Sequence, residues 1–241
     1  MKYAVVTGST KGIGRAIAEM LLEDGYFVIL NYSSDEKARK EFEDSNERYK
    51  NRFIIVKEDL SSLGDSKRFV EKILSITECI DCLIFAAGMT DRSSFDDIDY
   101  SSWERAMNIN VNVPFYIVHS LRNNIKPNDG RIVFIGSICG VYPHAGSPVY
   151  GVSKAAVHQM AKELVKFFEP KKITVNAIVP GFINTPRQAS KKPEHREKIE
   201  NKIALHRFGE SEEVASLCKE IIKNQYINGA NLEISGGYCY Y

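Results

Sequence analysis

The chain has 241 residues, long for one domain yet within the range of a single α/β unit. Apolar residues make up 44% and charged residues 26%, which excludes both a disordered chain and a small disulfide-held scaffold. With 32 Lys plus Arg against 31 Asp plus Glu, the net charge is +1, so no overall field draws the chain to nucleic acid or an anionic membrane.

No apolar run approaches the ~18–20 residues of a membrane-spanning helix. Met1-Lys2-Tyr3 runs directly into Ala4-Val5-Val6, so no secretory leader is expected. Five cysteines form an odd set without framework spacing, and a reducing cytoplasm is the expected location. Cys79-x-x-Cys82 has no second pair, so it is expected to be buried and structural, and no metal site is expected.

Short β-branched runs alternate with helical patterns along the chain. The strands are expected at Tyr3–Thr7, Phe27–Asn31, Phe53–Val56, Cys82–Ala86, Arg131–Gly136, Thr174–Val179 and Asn231–Ile234. Several are apolar at every position, the pattern of parallel strands covered on both faces. Asp35–Tyr49 reads as a thin, charged crossover helix, and Ser66–Ile76 as one burying Phe69, Val70, Ile73 and Leu74. Trp103–Leu121 and Tyr150–Phe168 read as long helices with apolar residues on more than one side. From Phe182 to about Arg207 the chain is charged and rich in turn formers; it reads as an irregular lid or as a solvated excursion. In Glu210–Lys223, Val214, Leu217, Cys218, Ile221 and Ile222 form one buried stripe. Together the elements predict a single-domain, doubly wound parallel sheet of about seven strands, the Rossmann-type α/β class.

After the first strand comes Gly8-Ser9-Thr10-Lys11-Gly12-Ile13-Gly14, leading into a helix. Glycines there let a diphosphate approach the backbone and the helix N-terminus. The spacing differs from the usual G-x-G-x-x-G, but the strand–turn–helix setting is the required one. The second strand ends Asn31-Tyr32-Ser33-Ser34, with no carboxylate before Asp35 to bind a ribose 2′-hydroxyl. This end of the pocket is therefore expected to favour NADP(H), with Lys11 and the Asn31/Ser33 region receiving the extra phosphate.

Further on stand Ser137 at the end of the fifth strand and Tyr150-Gly151-Val152-Ser153-Lys154. Tyrosine and lysine four apart share one helix face. An ammonium beside a phenol lowers its pKa, which suits the phenol to proton exchange with a carbonyl oxygen during hydride transfer. Ser137 can hydrogen-bond that oxygen. Pro114 has no N–H to offer the carbonyl of Asn110, so that carbonyl needs another partner, such as water.

These residues resemble the short-chain dehydrogenase/reductase family over nearly the whole sequence. The likeness takes in Thr7–Gly14, Asp59-Leu60, Asn110, Ser137, Tyr150, Lys154, Pro180-Gly181 and Ser235-Gly236-Gly237. It implies that Asp59 and Leu60 touch adenine, and that Pro180, Gly181, Ile183 and Thr185 line the nicotinamide side. It assigns substrate polarisation to Ser137, acid/base work to Tyr150, the nicotinamide ribose to Lys154, and a water-mediated proton relay to Asn110. Where the family carries Asn-Asn-Ala-Gly, this chain has Phe85-Ala86-Ala87-Gly88; Ala87 and Gly88 still admit the cofactor, but the asparagine contacts are gone.

Within the family the chain is similar to 3-oxoacyl-[acyl-carrier-protein] reductases, through Asn31-Tyr32-Ser33-Ser34, Ile173–Ala177 and Pro180–Thr185. That likeness implies a carbonyl substrate on an acyl-carrier protein, docked through Lys126, Lys171 and Lys172, and a homodimer or homotetramer built on the two long helices. The aromatic tail Tyr238-Cys239-Tyr240-Tyr241 would be buried against a neighbouring subunit. His144, in the substrate loop, is an exposed loop residue or a substrate contact. The same phrases occur in sugar, polyol and steroid dehydrogenases. Two other readings stay open, a cofactor-binding scaffold without catalysis and a nucleotide-sugar epimerase or dehydratase, although the latter needs a larger C-terminal domain.

Overall fold

The computed structural model describes residues 1–91, 93, 95–143, 148–189 and 191–238. His144 and the tail residues Cys239, Tyr240 and Tyr241 lie outside them. In chain order the elements are β1 (Tyr3–Thr7), α1 (Gly12–Glu23), β2 (Phe27–Tyr32), α2 (Glu36–Ser45), β3 (Phe53–Lys57), α3 (Leu63–Ile76), β4 (Cys82–Phe85), α4 (Tyr100–Met107), α5 (Val113–Leu121), β5 (Arg131–Ile135), α6 (Pro148–Phe168), β6 (Thr174–Pro180), α7 (Pro193–Glu200), α8 (Ser211–Lys223) and β7 (Asn231–Ile234). All seven expected strands are present, each within one residue of the expected bounds at either end.

The strands form one sheet in the order β3-β2-β1-β4-β5-β6-β7, parallel throughout. Alternate residues of each strand feed opposite cores, which is why the strands show no polar face. Val5, Leu83, Phe85, Ile132 and Phe134 pack under α3, α5 and α6. Ala4, Val6, Ile84, Val133 and Ile178 pack under α1 and α8. Phe85, at the first position of the departing motif, stacks on Phe134 at 4.9 Å and so belongs to the core. The chain reverses direction across the sheet between β1 and β4, and a crevice opens beyond the C-terminal ends of those strands.

Several boundaries move for identifiable reasons. Asp35 caps α2 from outside, accepting from the Ala38 N–H at 3.0 Å. α3 begins three residues early because Ser62 and Asp65 form a capping box, and Glu210 and Glu213 do the same for α8. The expected single helix Trp103–Leu121 is broken by a π turn over Asn108–Asn112, where the Val113 N–H reaches back to Asn108. Pro114 sits in the first turn of α5, where its missing donor costs least. The stretch 182–207 is not irregular, since it contains a 3-10 turn at Pro186–Gln188 and α7. Cys82 is buried as expected, but Cys79 is exposed, so the pair does not act as a buried unit. Among the described residues no helix is long and apolar enough to cross a membrane.

Candidate active site

A cleft of about 1260 Å³ lies at the switch point, larger than the ~300–1,000 Å³ of a typical single-ligand site. Its floor is the turn after β1. Gly8 has φ +61°, and a Cβ there would lie 2.7 Å from the Ala87 Cα, so only glycine lets the β1 and β4 loops meet. α1 starts at Gly12 with no side-chain cap and no acid in its first turn. Its first N–H groups therefore face the cleft free to receive an anion. Gly8, Lys11, Gly12, Ile13 and Gly14 line this floor as expected. The floor fits a dinucleotide diphosphate.

Ser9, Thr10 and Tyr32 do not line the cleft. Ser9 is fully buried, its Oγ accepting from the Asn31 N–H at 2.9 Å, and so ties the turn to β2. Thr10 is buried, and the Tyr32 hydroxyl donates to Glu36 at 2.8 Å. Asn31 reaches the cleft wall, but its amide is already engaged: Oδ1 accepts from the Gly8 N–H at 3.2 Å, and Nδ2 donates to the Glu58 carbonyl at 3.0 Å and to the Tyr32 carbonyl at 3.4 Å. It braces the glycine turn and has no donor left for a phosphate. Ser33, Asp59 and Leu60 line the same end, and Lys11 is ion-paired with Asp35 at 2.9 Å.

On the opposite side Ser137, Tyr150 and Lys154 converge with Ala87, Gly88, Pro180, Gly181, Ile183 and Thr185. Burial pushes the Tyr150 pKa up, outweighing the Arg187 charge and the side-chain hydrogen bonds of Ser137 and Thr90, which pull it down. The lysine does not supply the expected lowering. Its ammonium lies 5.7 Å from the phenol ring centre and donates to the Ile135 carbonyl at 2.6 Å. Burial, then the charge of Arg187, pushes the Lys154 pKa down to about 7. The phenol thus holds its proton at neutral pH, beside an amine poised to exchange one.

Asn110 is buried within the π turn, not on the surface. Its Oδ1 accepts from the Met89 N–H at 2.8 Å, while Nδ2 donates to the Met89 carbonyl at 2.9 Å and to Ser153 Oγ at 2.8 Å. It clamps the β4 loop to α6, one residue from Lys154.

Two residues escaped the sequence reading. His158, a helical turn beyond Lys154, accepts the Ser137 N–H on Nε2 at 3.3 Å. Its ring fills the space left by Gly136, where any Cβ would overlap it. Burial, with the charges of Lys154 and Lys162, pushes its pKa down to about 4, so it is neutral and an acceptor. Arg187 crosses the cleft mouth, donating to the Gly88 carbonyl at 2.7 Å and Thr90 Oγ1 at 3.0 Å. The Tyr-x-x-x-Lys spacing pointed to His158's face of α6, whereas nothing local in the sequence pointed to Arg187.

The lysines expected to dock a carrier are elsewhere. Lys126 precedes β5 and pairs with Asp81 and Asp129; Lys171 and Lys172 precede β6, and Lys171 donates to the Arg122 carbonyl. All three lie at the N-terminal ends of the strands, across the sheet from this chain's cleft.

The family model for short chain dehydrogenase matches residues 2–196. The 3-oxoacyl-[acyl-carrier-protein] reductase of Aquifex aeolicus is 36% identical, with 98% of this chain and 96% of that protein covered. Glucose 1-dehydrogenase 2 of Bacillus subtilis is 30% identical, covering all of this chain and 95% of its own length. A short chain dehydrogenase from Burkholderia cenocepacia, solved in complex with NADP, superposes with a TM-score of 0.92 at 28% identity, over 98% of this chain and 97% of that one. The chain therefore belongs to the short-chain dehydrogenase family of oxidoreductases.

Proposed function

We propose that this protein reduces the keto group of 3-oxoacyl thioesters with NADP(H). The convergence of Ser137, Tyr150 and Lys154 on one wall, facing the open N-terminus of α1, carries the reading. A dinucleotide held there by the turn after β1 and by Lys154 would supply hydride to the carbonyl carbon. Ser137 hydrogen-bonds the substrate oxygen, and Tyr150 delivers its proton to that oxygen as negative charge develops. Lys154 binds the nicotinamide ribose and restores the phenol's proton. Asn110 holds the loop above them, and its carbonyl, denied a donor by Pro114, holds a water that relays a proton to Lys154.

Cofactor choice rests on Lys11 and Ser33, with no carboxylate at the end of β2. The thioester reading draws support from the Aquifex relative; the Bacillus glucose dehydrogenase is the reason to test sugars as well. Exposed Trp103, Phe115, Val152 and Phe167 on α4, α5 and α6 support a homo-oligomer. The free thiols of Cys79, Cys82, Cys139 and Cys218 suit the cytoplasm. Tyr150→Phe should abolish turnover of acetoacetyl thioesters while NADPH still binds. A panel of thioesters, sugars, quinones and steroid ketones, each run with NADPH and NADH, overturns the reading if another class is preferred or if NADH is clearly the better donor.

A further inference from the structure

α7 sorts its charges by face. His195, Lys198 and Ile199 share one face of α7 and line the cleft together with Lys202 in the turn that follows, whereas Glu194, Arg196, Glu197 and Glu200 do not. Ile199 is buried and seats this face, while on the other side Arg196 pairs with Glu200 at 2.8 Å. Arg105, at the end of α4, and Arg187 add two more cations to the same cavity. The carboxylates lining it, Glu58 and Asp59, follow β3 at the far edge of the sheet. Among the described residues, Lys198, Lys202 and Arg105 have no carboxylate partner. Like charges gathered in a cavity repel one another unless an anion enters. Among the described residues, the substrate half of the cleft thus holds cations without carboxylate partners.

We propose that the inner face of α7 and the turn after it, through Lys198 and Lys202 and aided by Arg187, receive a phosphate ester carried by the carbonyl substrate at a distance from its reacting end. The proposal rests on the reductase reading and narrows it: the preferred thioester is one whose arm ends in phosphate. Two sources share this chemistry, the nucleotide phosphates of coenzyme A and the single phosphodiester that joins a pantetheine arm to a carrier protein.

The test compares acetoacetyl-coenzyme A, acetoacetyl-carrier protein and acetoacetyl-pantetheine, which have the same reacting end and differ in phosphate. In the intact protein kcat/KM should favour the phosphorylated forms by on the order of tenfold at low salt, and less at high salt. In the K198Q/K202Q variant the ratio should fall toward one. Whichever phosphorylated form gives the larger ratio names the source. Equal rates for all three in the intact protein overturn the proposal, as does a variant that loses all three alike. So does a rise in NADPH Kd matching the loss, because the cations would then serve the cofactor. Calorimetric binding of free coenzyme A to the protein–NADPH complex keeps the two readings apart. Binding that weakens about tenfold in the variant supports the phosphate site even where no thioester turns over. Absence of that binding, together with no preference for acetoacetyl-carrier protein, sinks the site even where thioesters are reduced.

Discussion

Replacing Lys154 with methionine should make the protein more stable and leave it inactive. The lysine is 5% exposed, and burial with the charge of Arg187 moves its pKa from the ordinary 10.5 to about 7. A cation held that far down costs the fold about 5 kcal/mol wherever folded and unfolded chains both carry the proton, which is below about pH 7. Methionine matches the stem without the charge, but it forfeits the 2.6 Å bond to the Ile135 carbonyl, worth about 1–3 kcal/mol. The balance is a gain of about 2–4 kcal/mol at pH 7. Above pH 7 the folded lysine releases its proton while the unfolded one keeps it up to about 10.5, so the wild type gains stability with rising pH. Its handicap therefore shrinks by about 1.4 kcal/mol per pH unit and is about 2 kcal/mol at pH 9, level with the lost hydrogen bond. Urea unfolding of both proteins at pH 7 and pH 9 measures this. A variant less stable than wild type at pH 7, or an advantage equal at both pH values, refutes the reasoning.

Gly8→Ala places a Cβ against Ala87 in left-handed backbone, a strain of about 1–2 kcal/mol before any clash. NADPH Kd by fluorescence titration should rise about tenfold or more, and an unchanged Kd removes the turn from the cofactor site. Asp35→Asn releases Lys11 from a largely exposed pair, so NADPH should bind about two- to fivefold tighter while NADH does not; equal gains for both cofactors would discount Lys11 as the phosphate's partner. His158 stays neutral in the fold down to about pH 4, whereas the unfolded side chain takes a proton near 6.5. Its contribution of about 3 kcal/mol is present above pH 6.5 and lost as pH falls toward 4. His158→Leu should therefore narrow the Tm difference between pH 7 and pH 4.5, and kcat should drop as Ser137 loses the acceptor for its N–H. If the acid sensitivity persists in that variant, it originates elsewhere.

What could be read from the sequence was what depends on neighbours along the chain. Strand runs such as Cys82–Phe85 declare themselves because both faces are covered, and Tyr150 and Lys154 meet because helical pitch brings them together. What depends on distant partners could not be read. Asn31 looked like a polar group free for phosphate; Gly8 and Glu58, arriving from two other loops, occupy its amide. Arg187 meets Gly88 across 99 residues. Proline at 114 warned of a break near Asn110, but the form it takes, a π turn that lets the Asn110 amide reach Met89 and Ser153, depends on where those two groups lie. The placement of Lys171 and Lys172, by contrast, follows from their position in the chain alone. Residues that lead into a parallel strand lie at its N-terminal end, and the cleft of an open α/β sheet lies at the other.

The charges of the cleft also constrain which way a dinucleotide and a substrate can lie in it. Glu58 and Asp59 stand beyond β3, the uncapped start of α1 lies beyond β1, and the cations of the segment after β6 stand over Tyr150. Sheet order places these three along one line, β3 to β1 to β6, with β4 and β5 between the last two. A dinucleotide laid with its diphosphate on α1 would have its adenosine beside the acids, which can accept from ribose hydroxyls and amines, and its nicotinamide beside Lys154. In the reverse orientation the nicotinamide would lie by Glu58 and Asp59, more than a helix width from the phenol, and no proton donor would face the reacting carbonyl. Strand order, and which loops carry acid and base, would therefore set the orientation of a bound dinucleotide before any contact specific to one cofactor is made.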